Sequence, residues 1–169
     1  MEPSGAEQQH GRSFSGLART HVHNMTSNFG KTNMPWGPRR SVWAGCSGAF
    51  FVLPGLVGLS DAPSSVLMLL AFVLQAALSV LSDYIATGRD SVWHGFDRWL
   101  STFMTNFMLY YAHSALSPWH CLLAVPPLSC LYMSKRAIKG GDWRGYVLWH
   151  TLWHVFAIGC SSGVIYLAN

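Results

Sequence analysis

Two histidines four residues apart, His150 and His154, stand in the apolar run Tyr146-Val147-Leu148-Trp149-His150-Thr151-Leu152-Trp153-His154-Val155-Phe156. On an α-helix that spacing stacks both imidazoles on one face, a turn apart. An ionisable group inside such a run is costly unless it has a partner. Neutral imidazoles so arranged are good ligands for Zn²⁺, which takes three or four converging donors. The missing donors must come from other segments at the same depth.

Those segments are apolar and long. Half of the 169 residues are hydrophobic and only 11% are charged, against about 25% charged in soluble domains. From residue 42 onward five apolar runs follow one another, at 42–60, 66–86, 96–116, 118–134 and 143–167. Each approaches the ~20 residues that cross a bilayer core. The expected fold is therefore an all-α integral membrane protein, a bundle of about five transmembrane helices over residues 41–169. Residues 1–40 are polar, rich in Ser, Gly, Asn and His, and carry no hydrophobic period. They read as a disordered, weakly basic tail, with Arg12, Ser13, Ser15 and Arg19 as the cue for an organelle transit peptide. Cys46, Cys121, Cys130 and Cys160 are scattered singly and predict no disulfide framework.

Basic residues set the expected orientation. The tail carries Lys31, Arg39 and Arg40, the second connection Arg89, and the fourth Lys135, Arg136, Lys139 and Arg144. The first and third connections, near Asp61 and Ser117, carry none. This alternation predicts a cytosolic N-terminus and a C-terminus outside or in a lumen. The pI near 9.0 then reflects basic loops at an anionic membrane surface and no nucleic-acid patch.

With that topology the intramembrane polar groups share one layer. Gln75, Ser79, Ser82 and Asp83 form a stripe near the cytosolic end of the second run. Asp97, Ser101 and Thr105 form another in the third, and His150 and His154 lie a few turns into the fifth. Ser79, Asp83, Asp97, His150 and His154 are thus expected to converge.

Ser79-Val80-Leu81-Ser82-Asp83, then Asp97-Arg98-Trp99, then His150-Thr151-Leu152-Trp153-His154, resemble the motifs of the CREST superfamily of membrane hydrolases. That group holds alkaline ceramidases, progestin and adipoQ receptors, and phospholipases that remodel GPI anchors. Its members have seven spans, and Asp83 here stands where they carry their first His. The resemblance implies a Zn²⁺ held by His150, His154 and Asp83, with His94 as the alternative third ligand. It implies Asp97 as general base and Ser79 as hydrogen-bond donor to an oxyanion or to a ligand carboxylate. The implied reaction is hydrolysis of a lipid amide or ester, the lipid entering laterally with its chain among Phe72, Phe103, Phe107 and Met108. Two other readings use the same residues: a non-enzymatic receptor or scaffold that keeps the polar layer for folding, and a small ion or proton transporter.

Overall fold

The computed structural model describes residues 14–32 and 34–169. Residues 1–13, with Arg12 and Ser13 of the transit-peptide cue, lie outside the described residues, as do the side chains of Ser15 and His21. Among the described residues every regular element is helical: α1 Phe14–Ser27, α2 Val42–Cys46, α3 Val52–Val57, α4 Pro63–Val80, α5 Val92–Ala115, α6 Val125–Lys139 and α7 Trp143–Ala168. A 3-10 segment, Ser47–Phe51, joins α2 to α3, and another, Pro118–Ala124, precedes α6.

Local chemistry sets the ends. Pro63 opens α4 with its φ already helical and no N–H to orphan. The side chains of Ser91 and Asp142 accept from Trp93 N and Gly145 N and so cap α5 and α7. Between α6 and α7, Gly141 takes φ +68°, and Asp142 N–H closes back on Ala137 O at 2.9 Å. Only a residue without Cβ adopts that backbone cheaply. The result is a tight antiparallel hairpin.

Among the described residues two stretches are long and apolar enough to cross a membrane, Pro63–Ile85 and Trp143–Ala168. Of the five spans expected from the sequence, these two alone are supported as membrane-crossing helices among the described residues. The run at 42–60 breaks into α2, a 3-10 turn and α3. The run at 118–134 becomes a 3-10 segment and the 15-residue α6, with Pro126 and Pro127 in its first turn. Helix α5 has the length, 24 residues, but Asp97, Arg98 and Asn106 keep its hydropathy down. Of the two long stretches, only 28% and 22% of the most apolar window is buried inside the protein. Leu67, Leu70, Leu74, Val155, Tyr166 and Leu167 are all exposed. A core helix of a water-soluble domain would be covered.

The polar N-terminal segment differs from expectation as well. It contains α1, whose Met25 is buried and receives a contact from Thr102 Oγ1 at 3.7 Å. Residues 28–32 and 34–40 run as a strap across the connection between α4 and α5. Lys31 Nζ donates to Asp90 Oδ2 at 2.8 Å, and Thr32 N–H donates to Asp90 Oδ1 at 3.0 Å. Arg98 donates to the carbonyls of Asn28 and Lys31 at 2.9 and 2.7 Å. Phe29 meets Phe96 edge-on at 5.2 Å, in space that a Cβ on Gly95 would fill. Trp36 closes the strap against Trp143 and Tyr146. Nothing in the strap has a helical or strand period, so pattern alone gave no reason to expect order.

The Lys31–Asp90 pair makes the strap pH-sensitive in a defined sense. Hydrogen bonds from Lys31 and Thr32 hold the Asp90 carboxyl below its ordinary value, and the Asp90 partner holds Lys31 above its own. The contribution is therefore present above the ordinary carboxylate pKa and lost as pH falls through Asp90's lowered one. At the other end it is lost as pH rises through Lys31's raised value. Hydrogen exchange at residues 28–32, corrected for intrinsic rate, is expected to be slow across neutral pH and to speed up in acid and again at the alkaline end. In Asp90→Asn it should be several-fold faster at neutral pH while α4 and α7 stay protected.

Candidate metal centre

Asp83 sits where α4 changes pitch. Leu81–Ile85 forms a π-turn, closed by Ala86 N–H on Leu81 O at 2.9 Å. Such wide turns tend to occur at functional positions. Here the turn carries Asp83 toward α7, and the Thr87 hydroxyl bonds to the Asp83 carbonyl. On α7, His150 and His154 lie on the buried face, His154 with no exposed surface at all.

The three side chains meet. His150 Nε2 is 3.0 Å from Asp83 Oδ2 and His154 Nε2 is 3.8 Å from the same oxygen. One donor atom from each residue lies within 4.8 Å of the others. The distance from His154 is too long for a hydrogen bond, and its Nε2 is buried with no hydrogen-bond partner among the described residues. Buried polar atoms are rarely left so. A cation between the three groups would satisfy it, and the Asp-His-His donor set is one that Zn²⁺ accepts. The residues fit a metal.

Two serines orient the rings from behind. Ser47 Oγ lies 2.7 Å from His154 Nδ1 and donates its own proton to Ala44 O at 3.4 Å. With that proton committed, the hydroxyl oxygen accepts from Nδ1–H, which leaves the Nε2 lone pair facing Asp83. Ser134 Oγ stands 3.4 Å from His150 Nδ1. The carboxylate is steadied in turn by Ser79, whose hydroxyl donates to Asp83 Oδ2 at 3.4 Å. Partners of this kind fix ligand geometry at metal sites.

The expected residues fall in different places. Ser79 touches Asp83, the ligand-carboxylate alternative of its two expected roles. His94 is adjacent but directed elsewhere. Its Nε2–H donates to Arg89 O at 2.9 Å, so its Nδ1 accepts from Ser82 at 2.8 Å, and both ring nitrogens are engaged outside the cluster. Asp97 is buried on α5 and accepts from Gln75 Nε2 at 2.9 Å. Ser101 and Thr105 bond to carbonyls of their own helix. Ser47 and Ser134 carry no sequence cue, because each belongs to a segment whose approach to α7 only the fold creates.

That approach depends on glycine. A Cβ on Gly48 would fall 2.1 Å from Ser79 Oγ and 3.4 Å from a ring carbon of His154. A Cβ on Gly45 would fall 2.7 Å from the Cβ of Tyr84. The broken helix at 42–57 can therefore lie directly against the π-turn and deliver Ser47.

Beside the centre a narrow cleft of about 90 Å³ runs between α5, α6 and α7. Phe72, Gln75, Met104, Met108, Trp153 and Val164 are among the residues lining it. Two of the four residues expected along a lipid chain, Phe72 and Met108, line it. Phe103 is exposed and Phe107 stacks between Phe103 and Tyr111. Gln75 connects cleft and polar layer, since it lines the one and holds Asp97 in the other; its Oε1 is buried without a partner among the described residues.

No family model, curated protein or solved structure matches this chain.

Because Gly48 has no room for a methyl group, Gly48→Ala is expected to force the 42–57 segment off the π-turn. The overpacking cost is about 1–3 kcal/mol. Thermal unfolding should show the loss, and Gly159→Ala, with open space around it, should leave the midpoint nearly unchanged.

Proposed function

We propose that this chain is a multi-pass membrane protein that holds Zn²⁺ on Asp83, His150 and His154 and hydrolyses an amide or ester bond of a lipid. The observation that carries the reading is the buried Asp-His-His cluster with an unpartnered imidazole nitrogen directed into it. Membrane residence is supported by the length of α4 and α7 and by the large apolar side chains they leave exposed. Lys31, Arg39, Arg40, Arg89, Arg98 and Arg144 lie on the strap or on the connections and helix ends beside it, which favours that end as the cytosolic one. On this reading the broken segments at 42–57 and 118–139 also sit in the membrane, their irregular backbone covered by neighbours.

Bound there, Zn²⁺ supplies Lewis-acid polarisation of a carbonyl and acidification of a water. The chain's own part follows from its contacts. To act as ligands, Asp83 and His150 must give up the hydrogen bond they share, so the single His150 ring proton passes from Nε2 to Nδ1, which then donates to Ser134 Oγ. Ser47 already holds His154 in the tautomer required. Asp97 is the group we assign to proton transfer, because Gln75 ties it to the inner wall of the cleft. The Gln75 Oε1 would accept from a hydroxyl or amide N–H of the lipid headgroup, and the chain would lie along Phe72, Met104 and Met108.

Elemental analysis of the purified chain should give one zinc per molecule. His154→Ala and Asp83→Ala should abolish both zinc and hydrolysis of lipid amides or esters. Asp97→Asn should keep zinc and lose turnover, and Ser47→Ala should weaken zinc binding by roughly 10–100-fold. A wild-type protein that takes up no zinc, or an Asp83→Ala protein that retains it, would sink the reading. The polar layer would then be structural.

A further inference from the structure

A second groove lies at the strap end of the bundle, away from the metal centre. Arg40, Ser41 and Trp43 form one wall, and Arg144, Leu148 and Thr151 stand on the other, where α7 begins. It has about 430 Å³ of room, within the range of small-ligand sites. No ion pair forms at either arginine among the described residues. Arg40 uses one nitrogen on the Ile85 carbonyl at 3.0 Å and lies over the Tyr84 ring; Arg144 is exposed. The nearest acid in sequence, Asp142, has Oδ1 turned inward onto Gly145 N–H at 2.9 Å. A third cation, Arg39, stacks over Trp143 at 4.7 Å.

The surroundings of the groove specify what would fill it. Guanidinium forks pair best with carboxylate or phosphate. Just beyond the arginines the surface turns apolar along two tracks. Trp43 and Phe50 are 75% and 60% exposed on the 42–57 segment, and Leu148 and Val155 are 54% and 55% exposed on α7. Leu148 and Val155 are seven residues apart, two turns down the same face of α7, while Trp43 stands on α2 and Phe50 on the 3-10 turn that follows it. A tryptophan between a cationic rim and an apolar flank is the arrangement found at a membrane–water boundary. A soluble anion would use the rim and leave the tracks bare.

We propose that this groove seats the phosphate of an anionic phospholipid between Arg40 and Arg144, with its acyl chains along the Trp43–Phe50 and Leu148–Val155 tracks. The inference rests on the membrane reading but not on zinc or hydrolysis. Because Arg40 also holds the strap to the end of the π-turn, an occupied groove would brace the segment that brings Ser47 to His154.

The test uses the full chain reconstituted into phosphatidylcholine vesicles with or without a minor fraction of phosphatidate, and counts retained lipids by native mass spectrometry. Wild type should retain phosphatidate in preference to phosphatidylcholine. Arg144→Gln should weaken that retention about fivefold, the share of one basic side chain at a lipid surface. Arg136→Gln removes the same charge from the same end outside the groove and should change it little. Far-UV circular dichroism and the thermal midpoint of each variant report whether it has folded; should Arg144→Gln fail that check, Arg144→Lys is read in its place and should show a partial loss. Equal losses in the Arg144 and Arg136 variants, equal retention of both lipids by wild type, or displacement by inorganic phosphate alone would each overturn the proposal. A chain that does not enter the vesicles overturns the membrane reading with it, whereas absence of zinc alone would leave the groove standing.

Discussion

A carboxylate held between two imidazoles inside an apolar bundle is the constraint on which the rest depends. Removing a charge from water costs several kcal/mol after relaxation, so Asp83 is tolerable only with partners that reach it together. His150 supplies one directly, Ser79 another, and His154 stands ready at a distance no hydrogen bond spans. Meeting that demand brings α4, α7 and the broken 42–57 segment to one place. Ser134 adds α6 through His150. Four separate stretches are thus coupled through a volume not much larger than a hydrated ion.

Irregular backbone makes this meeting possible. The π-turn at 81–85 re-aims Asp83, the 3-10 turn at 47–51 presents Ser47, and Gly45 and Gly48 remove the side chains that would hold the two apart. Regular helices of the same sequence length would satisfy more backbone geometry and place fewer donors. The centre is consequently assembled from the least ideal parts of the fold, while α4 and α7 supply rigidity.

The strap links the surface to this centre. It is anchored at one end by Asp90 and Arg98 and at the other by Trp36 on Tyr146, whose ring lies 5.0 Å from His150. The cleft approaches from the apolar side, through Gln75 and Phe51, and Phe51 meets the His154 ring edge-on. Strap and cleft therefore reach the two histidines through different rings, Tyr146 on His150 and Phe51 on His154.

The sequence alone determined the helical class, the apolar surfaces and the buried face of α7, because these follow from composition and period, which are local properties. The polar stripe from Gln75 to Asp83 and the pair His150 and His154 were legible for the same reason: spacing of three and four residues maps directly onto a helix face. Tertiary structure decided the remainder. Whether a run of apolar residues stays one helix or breaks, as at 42–60 and 118–134, depends on what packs against its glycines and prolines. Whether Asp97 or His94 joins the cluster depends on which neighbour, Gln75 or Arg89, claims it first. The strap's contacts and the roles of Ser47 and Ser134 arise from residues far apart in the chain, and no periodic signal encodes those.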